Sequence, residues 1–246
     1  MTLSDAELES YARHIVLPQV GGVGQNKLRA TSIAVVGAGG VGSAVIPALA
    51  GAGVGRLTVI DCDVVELGNL HRQPLFSEAD AGQPKATLAA AFVRRLNRFV
   101  DVAARQDRIS GDNAPKLLAG HDLVIDGSDN FATRLAVSDA CVSLGTPLIS
   151  AAAVQFQGQV GLFRSRPCYR CFVGDAFDAD DCDNCAELGV LGALTATVGS
   201  FASLLAIETI VGIGPDHAGR LHLFDGEALS WRAIAIPADP GCRSCG

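Results

Sequence analysis

Short runs of consecutive apolar residues alternate along the chain with longer stretches in which apolar positions recur every three or four residues. Ser32–Gly37 (SIAVVG), Leu57–Asp61 (LTVID), Leu123–Asp126 (LVID) and the region of Pro147–Ala151 are the short runs. They are rich in β-branched residues and too short for helices, so they read as buried strands. Helical stretches fall between them: from Gly42 to about Ala52, Gln83–Asn97, Gly111–Ala119 and Phe131–Leu144, with one further strand at Val100–Arg105. This alternation predicts a parallel sheet with helices on both faces. Ahead of it, Ser4 and Glu7 have the spacing of a capping box, which predicts a helix running to about Leu17, before Pro18. A glycine-rich connection, Gly21–Gly24, and a short helical piece follow.

The pattern changes after the fifth run. Gln155–Phe163 reads as a longer strand, Cys168–Cys185 is rich in Cys and Asp, and Gly189–Gly214 is almost uncharged. That last stretch has the length to span a bilayer. Glu208 lies inside it, and Thr195, Thr197, Ser200 and Ser203 dilute it, so it reads as a buried helix whose small residues suit close packing at a dimer interface. Two strands follow, near Leu221–Phe224 and Ala228–Ile236, forming a hairpin across Asp225-Gly226.

Composition narrows the class. The chain has 246 residues, of which 49% are hydrophobic and 5% aromatic, enough for a sizeable core of tightly packed helices on a sheet. A formal net charge of −7 sets nucleic-acid binding aside. Met1–Ser10 is polar and acidic and carries no secretory pattern, so a cytoplasmic protein is expected, with no membrane partner. Clustered cysteines in such a reducing setting bind metal or do chemistry more often than they form disulfides.

The chemistry-bearing residues follow the strands. Gly37, Gly39, Gly40 and Gly42 form a turn between the first strand and a helix, where backbone amides and the helix N-terminus can receive phosphates. Asp61 ends the next strand, at the distance where a carboxylate meets ribose hydroxyls. A polar cluster comes next, Gly68-Asn69-Leu70-His71-Arg72-Gln73, and Lys85 starts the following helix. Two cations converging on a nucleotide site suit triphosphate chemistry better than hydride transfer. Asp129, after the fourth strand with Asn130, has two readings: a magnesium ligand, or part of the N-cap of the Phe131 helix. Cys168/Cys171 and Cys242/Cys245 are two CxxC pairs about 70 residues apart. Together they make a closed four-thiolate zinc site, structural rather than catalytic, that ties the tail to the middle of the chain. Cys182 and Cys185 form a looser pair in an acidic loop. Cys185 reads either as a nucleophile near a helix start or as a plain loop thiol. Cys62 and Cys141 read as buried thiols.

GAGGVG, DCDVVELGNLHRQ, QPK, DGSDN, CYRC and the terminal CRSC occur in an order that resembles the ThiF/MoeB/HesA family, relatives of the ubiquitin-activating enzymes. The similarity starts at Tyr11 and covers nearly the whole chain. It implies a homodimer that binds ATP and magnesium and adenylates the C-terminal glycine of a ubiquitin-like sulfur-carrier protein ending in Gly-Gly, in thiamine or molybdopterin cofactor biosynthesis. It further implies that Gly40 lies against the nucleotide, Asp61 holds the ribose, and Asn69, Arg72 and Lys85 contact phosphates. Asp129 would bind magnesium, Arg13 would reach the partner subunit's site, and Cys185 would join the carrier during sulfur transfer. Leu223-Phe224-Asp225-Gly226 with Trp231 is more similar to the thiamine branch. No rhodanese-like segment is visible, so a separate sulfurtransferase would supply persulfide.

The expected architecture is therefore α/β: a Rossmann-like, doubly wound, mostly parallel sheet with helices on both faces, C-terminal antiparallel strands and a four-cysteine zinc site. One domain over 1–246 is expected, with an N-terminal helical segment (1–30), a nucleotide-binding part (31–152) and a carrier-binding, zinc-stapled part (153–246). The alternatives are activation of another carboxylate, such as one on modified tRNA, a nicotinamide-dependent oxidoreductase, and a non-catalytic zinc scaffold for a ubiquitin-like protein.

Overall fold

The computed structural model describes residues 3–174 and 189–246. The N-terminal segment holds α1 (Asp5–Ser10), α2 (Ala12–Ile15) and α3 (Gly21–Ala30). The alternating part follows as β1 (Ser32–Val36), α4 (Gly42–Ala52), β2 (Arg56–Ile60), α5 (Lys85–Leu96), β3 (Asp101–Arg105), α6 (Ala114–Leu118), β4 (Leu123–Asp126), α7 (Phe131–Leu144) and β5 (Leu148–Val154). The remainder is β6 (Gln157–Phe163), α8 (Tyr169–Val173), α9 (Gly192–Val211), β7 (Arg220–Asp225) and β8 (Ser230–Ala235).

The eight strands of the described residues join one sheet in the order β3-β2-β1-β4-β5-β6-β7-β8. The first five run parallel and the last three add antiparallel, as expected from the alternation and its end. Side chains alternate across the sheet and so feed two cores. Ile33 and Val35 of β1 pack under α3, α4, α5 and α9 with Ile46, Leu49 and Val198. Ala34 and Val36 face the other layer with Leu118, Leu135 and Tyr169. Chain order reverses between β1 and β4, which opens a crevice at the carboxyl ends of those strands.

The apolar stretch is the helix α9. It lies against α3, α4, β5 and β6, and half of its apolar window is buried there.

Three local expectations are corrected. The capping box at Ser4 and Glu7 forms, but the helix stops at Ser10 and resumes as α2. Tyr11 sits at the break: its ring turns inward beneath Gly53, and its hydroxyl accepts a 2.8 Å bond from Asn97. Gly21–Gly24 is no connection but the first turn of α3. A Cβ on Gly24 would stand 2.8 Å from Val211, so the glycine allows α3 to approach the end of α9. Cys62 is half-buried rather than buried, and its thiol donates to Asp63 at 3.3 Å, whereas Cys141 is buried as expected.

Candidate functional site

The glycine turn is built by backbone contact. Gly37 has φ +87°, and a Cβ on Gly42 would lie 2.1 Å from the Gly37 carbonyl oxygen, so only glycine lets α4 start this close to β1. The loop after β4 abuts the same turn. Gly127 donates its N–H to Val36, and a Cβ on Gly37 would meet the Gly127 carbonyl oxygen at 3.1 Å. The start of α9 closes a third side: the missing Cβ of Gly40 would meet Thr195 at 3.0 Å, and that of Gly192 would fall 2.3 Å from the His71 carbonyl oxygen.

Asp61 stands directly after β2 and accepts the Ala38 amide at 2.7 Å and the Asp63 amide at 2.8 Å. Burial raises its pKa, and those two amides and the Lys85 charge oppose the rise. Lys85 is buried at the start of α5 and pairs with Asp63 at 3.6 Å. Arg72 donates to Asn69 Oδ1 at 2.8 Å and Gly68 O at 3.4 Å, and its Nη1 lies 2.8 Å from His71 Nε2. Leu70 packs on the first core beneath them.

Asp129 is exposed at the crevice mouth. The N-cap of α7 is its neighbour: the Asn130 side chain accepts the Thr133 amide at 2.9 Å. The capping role thus falls to Asn130 and leaves the Asp129 carboxylate for another partner.

The fold brings together the glycine turn, Asp61, Asn69, His71, Arg72, Lys85 and the Asp129 loop. Arg13 stands apart, exposed on α2, which packs on α1 and α3. Cys182 and Cys185 lie outside the described residues.

Two residues escaped the sequence reading as site residues. Gln73 is buried against Gly39, and its Oε1 has no partner among the described residues. Its place in the polar cluster was a usable signal. Arg134 is buried inside α7, where spacing marks only a helix position, so no sequence signal distinguished it.

The four cysteines of the two CxxC pairs converge. Their Sγ atoms all lie within 4.8 Å of one another, with Cys168–Cys242 at 3.6 Å and Cys171–Cys245 at 3.5 Å. A tetrahedral zinc with sulfur at 2.3 Å places its ligands about 3.8 Å apart, so the thiols fit that ion. Burial pushes the Cys168 and Cys245 thiols up, whereas the Ser244 and Cys245 amides and the neighbouring thiols outweigh burial at Cys242 and bring it down. Asp139 of α7 anchors both halves, accepting from Arg170 at 2.6 and 2.7 Å and from the Ser244 hydroxyl at 2.8 Å.

Residues 11–244 match the ThiF family model. The chain belongs to the ThiF family. It is 43% identical to a sulfur carrier protein adenylyltransferase of Thermus thermophilus, covering 100% of this chain and 93% of that one. It is 40% identical to the SAMP-activating enzyme E1 of Haloferax volcanii, over 100% of this chain and 92% of that one. The bovine adenylyltransferase and sulfurtransferase MOCS3 is 44% identical, and this chain spans 54% of its length. Among solved structures, E. coli MccB with MccA-N7isoASN superposes with a TM-score of 0.85 at 21% identity, covering 99% of this chain and 75% of that one. That likeness concerns the fold alone.

Proposed function

We propose that this ThiF-family chain is an ATP-dependent enzyme that adenylates the C-terminal glycine carboxylate of a small ubiquitin-like sulfur carrier. A carboxylate oxygen attacks the α-phosphorus, the bond to the β-phosphate oxygen breaks, and pyrophosphate leaves. The observation that carries this reading is the gathering of Asp61, Asn69, Arg72 and Lys85 around a glycine turn at the sheet's reversal point.

No general base is required, because the attacking carboxylate is already ionised. The chain's task is to hold two anionic reactants in line and offset the charge that grows on the phosphates. In this reading Asp61 fixes the ribose, and the glycine turn, including Gly40, receives the phosphates at the start of α4. Asn69 holds the Arg72 fork toward the same place, and Lys85 reaches it as a point charge. Asp129, released from capping by Asn130, would hold magnesium, which would supply positive charge to offset that of the phosphates.

The four cysteines would hold a structural zinc, leaving no open position for catalysis. The chain would work as one unit and as a homodimer. Arg13 would serve the partner subunit's site, and the exposed Val16, Leu17, Val23 and Leu204 supply apolar surface for pairing. Cys185, in the segment 175–188, would attack the carrier's acyl-adenylate as the thiolate, forming a thioester and releasing AMP, before persulfide arrives from a separate sulfurtransferase.

The carrier would dock on the open face of β5–β8. Register places Val154, Gln157, Gln159, Leu223, Arg232 and Ile234 on one side there, half-buried or exposed. Carrier-dependent ATP–pyrophosphate exchange, run with each small Gly-Gly-ending protein of the same cell, tests the reaction and chooses between the thiamine and molybdopterin branches. Exchange with one carrier is expected. Tight ATP binding without exchange from any carrier would move the substrate to another carboxylate.

A further inference from the structure

Arg134 is a charged side chain inside the protein, on the first turn of α7, and its contacts radiate to three separate segments. Nη2 donates to the Ser128 carbonyl in the loop after β4, and also to the Ala151 carbonyl of β5 at 3.0 Å. Nη1 donates to the Ser150 hydroxyl at 3.1 Å. The guanidinium also faces the Tyr169 hydroxyl, which lies between the cysteines Cys168 and Cys171, and the buried carboxylate of Asp126. That carboxylate in turn accepts the Ser128 amide at 2.9 Å. Both polar groups of the Ser128 peptide framework are therefore held from beneath, the amide by Asp126 and the carbonyl by Arg134.

A planar five-donor fork can serve carbonyls, a hydroxyl and a carboxylate in different directions at once, which a lysine ammonium cannot do with the same geometry. The arrangement is out of proportion to the packing of one helix. Ser128 immediately precedes Asp129, and Asn130 on the other side is pinned as the N-cap of α7. With the flanking residues locked, the Asp129 carboxylate has a fixed point of departure beside the glycine turn.

We propose that Arg134 is a positioning residue: it holds the Ser128–Asp129 turn in the geometry that binding of magnesium-ATP requires, and through Tyr169 it braces that turn against the cysteine-bearing segment. This rests on the reading of Asp129 as the metal-binding carboxylate. Groups that orient a metal ligand from behind typically contribute ten- to a hundred-fold in metal affinity or activity.

The test compares Arg134→Lys with wild type in the full-length protein. ATP affinity is measured by calorimetry with EDTA and again with magnesium, alongside the magnesium concentration for half-maximal pyrophosphate exchange. In Arg134→Lys, ATP affinity in EDTA should stay the same, and the magnesium requirement should rise about ten-fold or more. The tightening of ATP binding by magnesium should shrink in parallel, while zinc content is unchanged. A purely structural arginine would lower the melting temperature and leave the magnesium requirement where it was, and that result overturns the proposal.

Should Arg134→Lys fail to fold, Ser150→Ala and Tyr169→Phe each remove one contact without stranding a charge. Both should shift the magnesium requirement in the same direction by smaller factors, and no shift in either also overturns the proposal. Asp129→Asn, run in parallel, separates the two ideas. A shift in Asp129→Asn with none in the Arg134, Ser150 and Tyr169 variants leaves the metal assignment standing and removes the positioning role. A shift in Arg134→Lys with none in Asp129→Asn takes Asp129 out of the metal site and overturns the proposal together with the reading it rests on.

Discussion

At the scale of single residues, the site works by placing a few charges where neighbours decide their freedom. Arg72 is held by Asn69 and only half-buried, so Arg72→Ala removes the proposed phosphate contact without opening the core. Carrier-dependent exchange should fall on the order of 100-fold, with the melting temperature nearly unchanged. A near-normal rate would take the arginine out of the phosphate site. Glu7 provides a second test, on stability. Hydrogen bonds from the Ser4 backbone and hydroxyl and the charge of Arg29, 2.8 Å away, hold its pKa below the ordinary 4.5. A carboxylate lowered on folding stabilises the protein above its unfolded pKa, and that contribution is lost as pH falls through the folded value. Glu7→Gln should therefore melt below wild type at pH 7, with the gap closing under about pH 4.5. Thermal melts across pH check this, and a gap independent of pH would assign Glu7 a packing role alone.

Among the elements, α7 links the Asp129 turn to the cysteine cluster. Its N-terminus carries the Asp129–Asn130 turn, and its middle carries Asp139, which receives both Arg170 and Ser244 from between the cysteine pairs. Burial pushes the Asp139 carboxyl up, but the Arg170 and Ser244 bonds outweigh it and leave its pKa lowered. Asp139→Ala should loosen α8 and the tail together. Release of zinc to a colorimetric chelator should accelerate severalfold while the cysteines remain intact. An unchanged release rate would mean that the thiols alone hold the site. The same logic applies at the early end of α1. A capping box specifies where a helix begins, but Tyr11 leaves the helix where a pocket under Gly53 and the Asn97 amide meet it from a distant part of the chain.

For the whole molecule, two predictions concern how parts separated in sequence complete one another. Cys245→Ser removes one corner of the thiolate cluster, so zinc content per chain and melting temperature should both drop. Unchanged zinc by atomic absorption would remove the tail from the staple. Arg13 stands apart from the crevice of its own chain, so it is expected to act in trans. Arg13→Ala and Arg72→Ala should each be inactive alone. Mixed and reassociated, they should recover activity in about a quarter of sites, because half of the pairs are mixed and each mixed pair has one intact site. No recovery from a demonstrated mixed dimer would exclude a role for Arg13 in the partner's site.

Much of this protein was legible in its residue order. The short uninterrupted apolar runs and the helices between them determined the parallel sheet, because burial on both faces demands continuous apolar strands. The glycine turn, Asp61, Lys85 and the CxxC pairs were legible because each rests on local geometry or on a donor set that few other arrangements need. What tertiary structure decided depends on contacts between distant segments. The use of Gly21–Gly24 inside α3 follows from the approach of α9. The choice between Asp129 and Asn130 as cap depends on which backbone turn the loop adopts against Gly37. The burial of Arg134 follows from the meeting of β4, β5 and α8 around one guanidinium. An arginine in a helical stretch looks the same in sequence whether it meets water or acceptors from three separate segments. Only the packed fold supplies the difference, because the acceptors come from residues that are neighbours in space and not along the chain.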